Sequence, residues 1–468
     1  MIPKIRFGTS GWRAIIADEF TFDSVRLVSR AIALHLKNRG LGGGEVVVGY
    51  DTRFLGNLFA LEAAWVLKDE GLEPVLSHRD VPTPVVAYEI IRRGAVGGIN
   101  ITASHNPPEY SGIKFSPAQG CPAPVEVTTE IEEIIGELQR RGMAKRPPRT
   151  DDITTCDFSP AYCDRLKELV DFDLLASRPA RVAYNALWGT GRGYLDRLLG
   201  EAGWEVACVN CSPNPGFGGR RPEPDPAEMP EFLQMVASEG YALGLATDGD
   251  ADRYGVVDSG GTFVSPNLVL ALLFDYLVAE KGMPGGVARS VATSHLVDRV
   301  AELHRRPVYE TPVGFKYIAG HVMEGSVAIG GEESAGLTIG GHVPEKDGIV
   351  ASLLVAEMVA RRGVTLAEMR DGLFDKVGSL YSRRLNIPLP RERDGVLKLL
   401  DSPPATFAGS RVKEVVRVDG TKLVLEDGSW VLFRPSGTEP VARFYAEAAD
   451  EQRLEELVEE GRKLFEEN

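Results

Sequence analysis

The sequence predicts an α/β protein of four segments, the first three α/β and the last a smaller α+β unit. Three observations carry that expectation. The chain has 468 residues, enough for three or four domains at roughly 100–200 residues each. Short β-branched runs lead repeatedly into Gly- or Asp-rich turns and then into amphipathic stretches, the strand–turn–helix grammar of α/β folds. From about Val377 to Arg384 the grammar changes to alternating strands separated by Asp-Gly turns.

In the first segment Val25, Val28, Ile32 and Leu36 recur at helical spacing behind Asp23, the expected N-cap, so one face of that helix should be buried. Val46 to Val48 reads as a strand running into the turn Gly49 to Arg53, and Gly97 to Ile101 as another. Lys145 to Asp152 combines Pro-Pro with mixed charge and no periodicity, which is linker composition. In the second segment Arg181 to Tyr184 leads into Gly189 to Gly193, and Leu243 to Ala246 leads into an acidic turn at Asp248. A new strand, turn and long apolar helix follow Asp252. These signals place the segments at residues 1–148, 153–254, 255–372 and 378–468. In the last, Asp419-Gly420 and Asp427-Gly428 are expected hairpin turns, and Asp450 to Phe465 closes the chain as a charged helix.

Apolar residues make up 43% and charged residues 25%, ordinary globular usage that excludes a disordered chain. Against 67 Asp and Glu stand 52 Lys and Arg, and the net charge of −15 repels nucleic acid and anionic bilayers at long range. An anionic ligand therefore requires cations gathered locally. Five scattered cysteines fit a reducing compartment rather than a disulfide framework. Cys208 and Cys211 have the spacing of half a zinc site, without a second pair. Residues 1–10 lack the apolar core of a signal peptide, and the longest apolar run, Leu268 to Phe274, is too short to span a bilayer. A soluble cytoplasmic protein with no nucleic-acid or membrane partner is expected.

Four clusters carry candidate chemistry. Thr102-Ala103-Ser104-His105-Asn106-Pro107-Pro108 makes a tight loop that should expose the Ser104 hydroxyl as a nucleophile or phosphate acceptor, although a plain turn explains it equally well. A Ser–His dyad inside it is disfavoured, since adjacent side chains diverge on extended backbone. Asp248-Gly249-Asp250-Ala251-Asp252-Arg253 places three carboxylates at alternate positions, where they can converge on one hard cation. It is not an EF-hand, because Arg253 stands where the loop needs Gly and Ser259 where it needs Glu. Gly330 to Gly336, with Glu332 and Ser334, can take paired hydrogen bonds from neighbouring sugar hydroxyls, but a surface turn is the better-supported reading of that stretch alone. Arg434-Pro435-Ser436-Gly437-Thr438-Glu439-Pro440, with Arg443 beyond, offers hydroxyls, backbone N–H groups and a guanidinium fork to an anion. One cluster per segment suggests four domains facing a shared cleft. A hydroxyl to carry the group, a cation to neutralise it and a clamp for each end together fit phosphoryl transfer.

The ordered set Thr-Ala-Ser-His-Asn-Pro, Asp-Gly-Asp-Ala-Asp-Arg, Gly-Glu-Glu-Ser and Arg-Pro-Ser-Gly-Thr-Glu-Pro resembles the α-D-phosphohexomutase family, and with the similar Gly8 to Arg13 stretch it covers the chain to Arg443. The resemblance implies four domains around a central cleft, three related α/β domains with mixed sheets and a smaller α+β domain; the need to keep water from a phosphoserine adds the expectation that this last domain moves as a lid. It implies that Ser104 is the phosphorylated serine and that its phosphate joins Asp248, Asp250 and Asp252 around Mg²⁺. Arg13, His105, Lys114 and Arg253 match residues around the phosphoserine, Lys114 as candidate general base. Glu332 and Ser334 match the sugar grip, and Arg434, Ser436, Gly437 and Thr438 the holder of the non-reacting phosphate, assisted by Arg443. Lys316 and Lys346 are further expected substrate contacts.

The implied activity is the interconversion of hexose 1-phosphate and hexose 6-phosphate, with a hexose 1,6-bisphosphate as intermediate and activator, in a monomer or homodimer. Thr311 to Lys316, the Gly-Glu-Glu-Ser-Ala-Gly loop and Glu345 to Gly348 look like the phosphoglucomutase branch, so glucose phosphates are expected first and mannose or dual use second. Ala335-Gly336 stands where dual-specificity enzymes carry Gly-His, and the departure from Gly-Glu-Gln-Ser-Gly-His puts a phosphoglucosamine role third. A metal-dependent sugar phosphatase, with Asp248 as nucleophile beside Asp250, is a more distant alternative. A phosphosugar-binding protein without turnover would have no need of Ser104.

Overall fold

The computed structural model describes residues 5–8, 10–142, 152–388, 402–435 and 441–466. Their strands form four sheets. The first orders β1 (Trp12–Ile15), β5 (Tyr110–Pro117), β4 (Gly97–Ile101), β2 (Glu45–Tyr50), β3 (Glu73–Ser77) and β6 (Thr154–Cys156) side by side. The second runs β11 (Phe263–Val264), β10 (Tyr254–Asp258), β9 (Leu243–Thr247), β7 (Arg181–Asn185), β8 (Glu205–Val209). The third runs β13 (Val308–Thr311), β12 (Gly286–Ser290), β14 (Val327–Glu332), β15 (Gly336–Ile339). All three are mixed: β5 and β10 run antiparallel to both neighbours, and β15 runs antiparallel to β14. The fourth, β16 (Tyr381–Pro388), β21 (Val441–Ala448), β20 (Trp430–Pro435), β19 (Thr421–Leu425), β18 (Ser410–Val416), β17 (Thr406–Phe407), is antiparallel throughout.

The strand β2 shows why a continuous apolar run is needed here. Val46 and Val48 enter one core with the helices Phe22–Asn38 and Gly56–Asp69, while Val47 enters another with the helix Thr83–Arg93. Helices cover both faces, so alternate positions are equally apolar. The helix Phe22–Asn38 buries Val25, Val28, Ile32 and Leu36 as their spacing requires, but its N-cap is Thr21 rather than Asp23. Thr21 and Ser24 satisfy each other's backbone N–H groups in a capping box, and Asp23 falls inside the first turn, where its charge favours the helix dipole. The run Leu268 to Phe274 lies in the helix Pro266–Ala279, which is apolar on all sides because it is buried on almost all of them. Among the described residues no helix is long and apolar enough to cross a membrane.

The sheets move three expected boundaries. β6 pairs in parallel with β3, so the first sheet takes its last strand from beyond the 1–148 segment. A boundary at 254 would cut β10, whose antiparallel register Tyr254↔Thr247 makes the acidic turn the tip of a β9–β10 hairpin. The second sheet therefore continues to Val264. At the third boundary the helix Leu366–Val377 carries its segment past 372, to Val377. In the fourth unit Gly420 and Gly428 take left-handed turns between hairpin strands, and the closing helix runs Glu451–Glu466. The Lys145 to Asp151 part of the expected linker lies outside the described residues.

One continuous apolar core joins the first three units, running from Val47 through Tyr184 to Leu354, whereas the fourth has its own core around Phe433 and Phe444. It meets the third unit through a small cluster, Val291, Ala292, Trp430, Leu432 and Tyr445. Beside it Lys422 is fully buried, its Nζ 2.9 Å from the Val291 carbonyl, 2.8 Å from His295 Nε2 and 4.0 Å from the Trp430 ring centre. Burial and Arg289 push the Lys422 pKa down to about 8. The unfolded chain then binds more protons than the folded one between that value and the ordinary lysine value of 10.5, so this group makes stability rise with pH across the window. Relative to a Lys422→Met variant, wild type should gain about 1 kcal/mol between about pH 8 and 9. Chemical unfolding of both proteins across that range checks the sign.

Candidate active site

The serine loop follows β4 and turns back into β5. Ser104 sits at φ +51°, a left-handed conformation that costs a non-glycine residue roughly 1–2 kcal/mol. Two devices hold it. The Ser104 N–H donates to Thr102 Oγ1 at 2.9 Å, and Thr102 Oγ1 donates to Asp51 Oδ2 at 2.6 Å. The fully buried Arg53 side chain donates to the carbonyls of Ser104 and Asn106, each at 2.6 Å, Pro107 at 2.7 Å and Tyr110 at 2.9 Å. Its charge is met by Asp51 at 3.1 Å, whose carboxyl burial pushes up to about 6 despite the pairing. Asp51, Thr52 and Arg53 read in the sequence only as a turn; nothing marks a guanidinium as the spool of a loop fifty residues on.

The loop does not expose its hydroxyl as expected. Ser104 is 2% exposed, and its Oγ donates to Asp248 Oδ2 at 2.7 Å, because the second unit's acidic turn packs directly over it. Gly249 permits the approach: a Cβ there would lie 2.7 Å from the Ser104 carbonyl oxygen. The left-handed backbone also overturns the argument against Ser–His proximity, which assumed extended geometry. Ser104 Oγ and His105 Nδ1 are 3.3 Å apart. Burial, then Arg253 and Arg13, hold the His105 pKa well below its ordinary value.

Asp248, Asp250 and Asp252 are buried, and one carboxylate oxygen from each lies within 4.8 Å of the others. Burial and the two neighbouring aspartates push the Asp248 pKa well up. Burial also opposes charge on Asp250 and Asp252, but the facing ammonium groups overrule it and lower both. Lys114 Nζ stands 2.6 Å from Asp250 Oδ2 and 2.9 Å from Asp252 Oδ2, and Lys346 Nζ 2.9 Å from Asp252 Oδ2. Thr83 Oγ1 donates to Asp250 Oδ2 at 2.5 Å and accepts from Asn100 Nδ2 at 2.8 Å. Asp250 Oδ1 and Asp252 Oδ1 are buried with no hydrogen-bond partner among the described residues. Orphaned anionic oxygens beside a third carboxylate fit a hard divalent cation.

Lys114, the expected general base, stands in this pairing; such a base needs a lowered pKa, and here burial disfavours its charge while Asp250 and Asp252 raise its pKa. Arg13 Nη1 donates to Asn106 Oδ1 at 2.5 Å, bracing the serine loop, and Arg253 pairs with Glu223 at 3.0 Å.

The third unit's loop joins the same centre. Glu332 is buried, accepts from the Gly314 N–H at 2.8 Å, and is pushed up to about 7 by burial and by Glu333. Ser334 and Lys316 are half-buried, and burial lowers the Lys316 pKa. Lys346 is held by Glu345 at 2.9 Å. From the fourth unit Arg434 Nε pairs with Asp419 at 2.8 Å, and Asp419 accepts from the Val313 N–H at 3.1 Å, which ties Arg434 on β20 to the Thr311 to Lys316 loop. Arg443 lies opposite Arg434 in the β20–β21 register. Ser436, Gly437 and Thr438 lie outside the described residues.

A buried hydroxyl wedged between carboxylates and cations suits a phosphomutase, an isomerase that shifts a phosphoryl group within its substrate. The comparisons with known proteins agree unit by unit. The phosphoglucomutase/phosphomannomutase family descriptions match domain I over residues 4–141, domain II over 160–261, domain III over 265–377 and the C-terminal domain over 385–464. The chain belongs to this family, the α-D-phosphohexomutases, and is an intramolecular phosphotransferase. It is 32% identical over 474 residues to a phosphoglucomutase/phosphomannomutase of Thermococcus kodakarensis, covering 98% of each chain. A Methanothermobacter thermautotrophicus relative, provisionally assigned as a phosphoglucosamine mutase, is 33% identical over 464 residues, covering 99% of this chain and 98% of that one. A solved Thermus thermophilus structure, provisionally assigned as a phosphomannomutase, superposes with a TM-score of 0.88 at 37% identity and full coverage of both chains.

Proposed function

We propose that the enzyme interconverts hexose 1-phosphate and hexose 6-phosphate, glucose phosphates first, through a phosphoserine at Ser104 and a bisphosphorylated sugar. The observation that carries the reading is the Ser104 hydroxyl seated 2.7 Å from Asp248 within a cluster of acids and cations drawn from three units. Phosphoserine 104 gives its phosphoryl group to the free sugar hydroxyl: the serine O–P bond breaks, the sugar O–P bond forms, and the proton lost by the sugar hydroxyl is balanced by one gained at Ser104 Oγ, which returns to a hydroxyl. After the bisphosphate turns over, Ser104 recovers the other phosphoryl group. Asp248, Asp250, Asp252 and an oxygen of the Ser104 phosphate would hold Mg²⁺, which supplies positive charge to the transferring group. Arg13, Arg253 and protonated Lys114 add fixed cations at the same point. Glu332, whose carboxyl titrates near neutrality, can both accept from and donate to sugar hydroxyls with Ser334, while Arg434 and Arg443 face the distal phosphate. The small contact between the third and fourth units suits a closing fourth domain that excludes water.

Two tests follow. Asp252→Asn removes the carboxylate shared by Lys114 and Lys346 and should weaken Mg²⁺ binding by about 100-fold or more, read by calorimetric titration. An unchanged affinity would remove the triad from the metal site. For the sugar, Gly336 is informative: a Cβ there would lie 2.2 Å from Lys346 Cδ, so the lysine stem lies against the position where dual-specificity relatives carry histidine. Glucose 1-phosphate should exceed mannose 1-phosphate and glucosamine 1-phosphate in kcat/KM by about tenfold or more. A higher value for either of the others overturns the glucose assignment.

A further inference from the structure

Asp347 follows Lys346 in the chain, yet its carboxylate bonds to none of the reacting groups. It is fully buried, which is costly for a carboxylate unless both oxygens are met. Here they are. Oδ1 accepts from the Ile349 N–H at 3.0 Å and the Val350 N–H at 2.9 Å, which makes Asp347 the N-cap of the helix Gly348–Arg362. Oδ2 accepts from the Tyr162 hydroxyl at 2.6 Å and faces His342 Nε2 at 2.8 Å. Tyr162 belongs to the helix Ser159–Leu169 of the second unit, so the carboxylate bridges two units. The Asp347 N–H donates to the Leu337 carbonyl on β15 at 2.8 Å. Cap, buttress and backbone together fix where the helix begins.

That first helical residue touches the acidic turn. The Gly348 N–H donates to the Ala251 carbonyl at 3.0 Å, between Asp250 and Asp252. A Cβ on Gly348 would lie 2.2 Å from the Arg253 carbonyl oxygen and 3.0 Å from that of Ala251, so only glycine lets the helix come this close. Ala251 needs the support, because it is buried at φ +54°, a left-handed conformation unfavourable to alanine. Its N–H closes the turn on the Asp248 carbonyl at 3.0 Å, and the Arg253 N–H donates to Asp248 Oδ1 at 3.0 Å. The conformation of Ala251 sets the angle between its neighbours, Asp250 and Asp252, whose carboxylates share Lys114.

We propose that Asp347 is a positioning residue of the active site: by capping the helix Gly348–Arg362 it holds the Gly348 N–H against Ala251, and so keeps Asp250 and Asp252 turned toward the cation that the acidic turn would bind. The consequence for Mg²⁺ rests on the reaction proposed above; the hold on the turn does not.

The test uses the full chain as wild type, Asp347→Ala, Asp347→Asn and Leu373→Ala. Asp347→Ala removes the cap, whereas Asp347→Asn keeps an acceptor of similar capping strength in the same place. Leu373→Ala opens a cavity on the helix Leu366–Val377, which packs on the helices Pro266–Ala279 and Leu296–Leu303, and controls for lost stability. Calorimetric titration well below the unfolding temperature should show Mg²⁺ affinity weakened by about 10-fold to 100-fold in Asp347→Ala, the range for losing a group that orients metal ligands. Asp347→Asn should restore most of it, and Leu373→Ala should bind as wild type does. Without metal, hydrogen exchange at the Ala251 amide should be about tenfold faster in Asp347→Ala. Unchanged affinity or unchanged exchange in Asp347→Ala overturns the proposal, as does an equal loss in Leu373→Ala or an Asp347→Asn no better than Asp347→Ala. If wild type itself binds no Mg²⁺, the metal reading fails, and exchange at Ala251 alone decides whether Asp347 holds the turn.

Discussion

Ser104→Ala will lose phosphomutase turnover by about 10⁴-fold to 10⁶-fold, the scale seen when a covalent nucleophile is removed from a preorganised site. The loss should fall on kcat, because the groups proposed to hold the sugar phosphate, Glu332, Ser334, Arg434 and Arg443, are distinct from Ser104. Folding should survive. The lost contact is one hydrogen bond of 2.7 Å to Asp248, worth about 1–3 kcal/mol if its acceptor is left unpaired. Alanine carries the same left-handed strain at position 104, so the backbone neither adds to that loss nor offsets it. Steady-state kinetics with a hexose 1-phosphate and its bisphosphate, beside thermal unfolding, separates the two effects. A variant retaining even a hundredth of wild-type turnover would make the serine a bystander.

Arg53→Met should cost both stability and rate, although Arg53 never meets the substrate. The side chain is fully buried, pairs with Asp51, and donates to four carbonyls of the serine loop and the start of β5. Its removal strands a buried carboxylate and four acceptors, for which about 3–5 kcal/mol of destabilisation is expected. Released from the guanidinium, Ser104 can relax out of φ +51°, and its Oγ leaves the line to Asp248. A fall in kcat of about 100-fold, with KM for the sugar phosphate changed little, is the signature of a positioning residue. Adding Asp51→Asn should recover part of the stability, because the stranded charge is gone, without recovering kcat. Equal recovery of both would mean that Arg53 acts only on folding.

What was legible in the sequence follows from how local the causes are. The triple aspartate turn, the serine loop and the strand runs are contiguous; the aspartate spacing has few other causes, whereas the serine loop taken alone reads equally well as a plain turn. Boundaries were less legible, because a hairpin such as β9–β10 hides its pairing: the turn that carries Asp248 to Asp252 looks like the end of a unit when it is the middle of one. Electrostatic state was the least legible. Nothing at Lys114 announces that two aspartates from another unit will raise its pKa, nor at Ser104 that the same turn will bury it. Arg53, Thr83 and Asn100 act through contacts that reach across 51 residues of chain for Arg53 and 167 for Thr83, which no local pattern encodes.

The proposed reaction requires Ser104 to carry the transferable phosphoryl group. Intact mass and peptide mapping of wild type and Ser104→Ala after incubation with glucose 1,6-bisphosphate test it most directly. One stable phosphoryl group on Ser104, absent from the variant and discharged by added hexose 1-phosphate, is the predicted result. No adduct, or one on Asp248 with inorganic phosphate accumulating, would contradict it and turn the assignment toward a phosphatase.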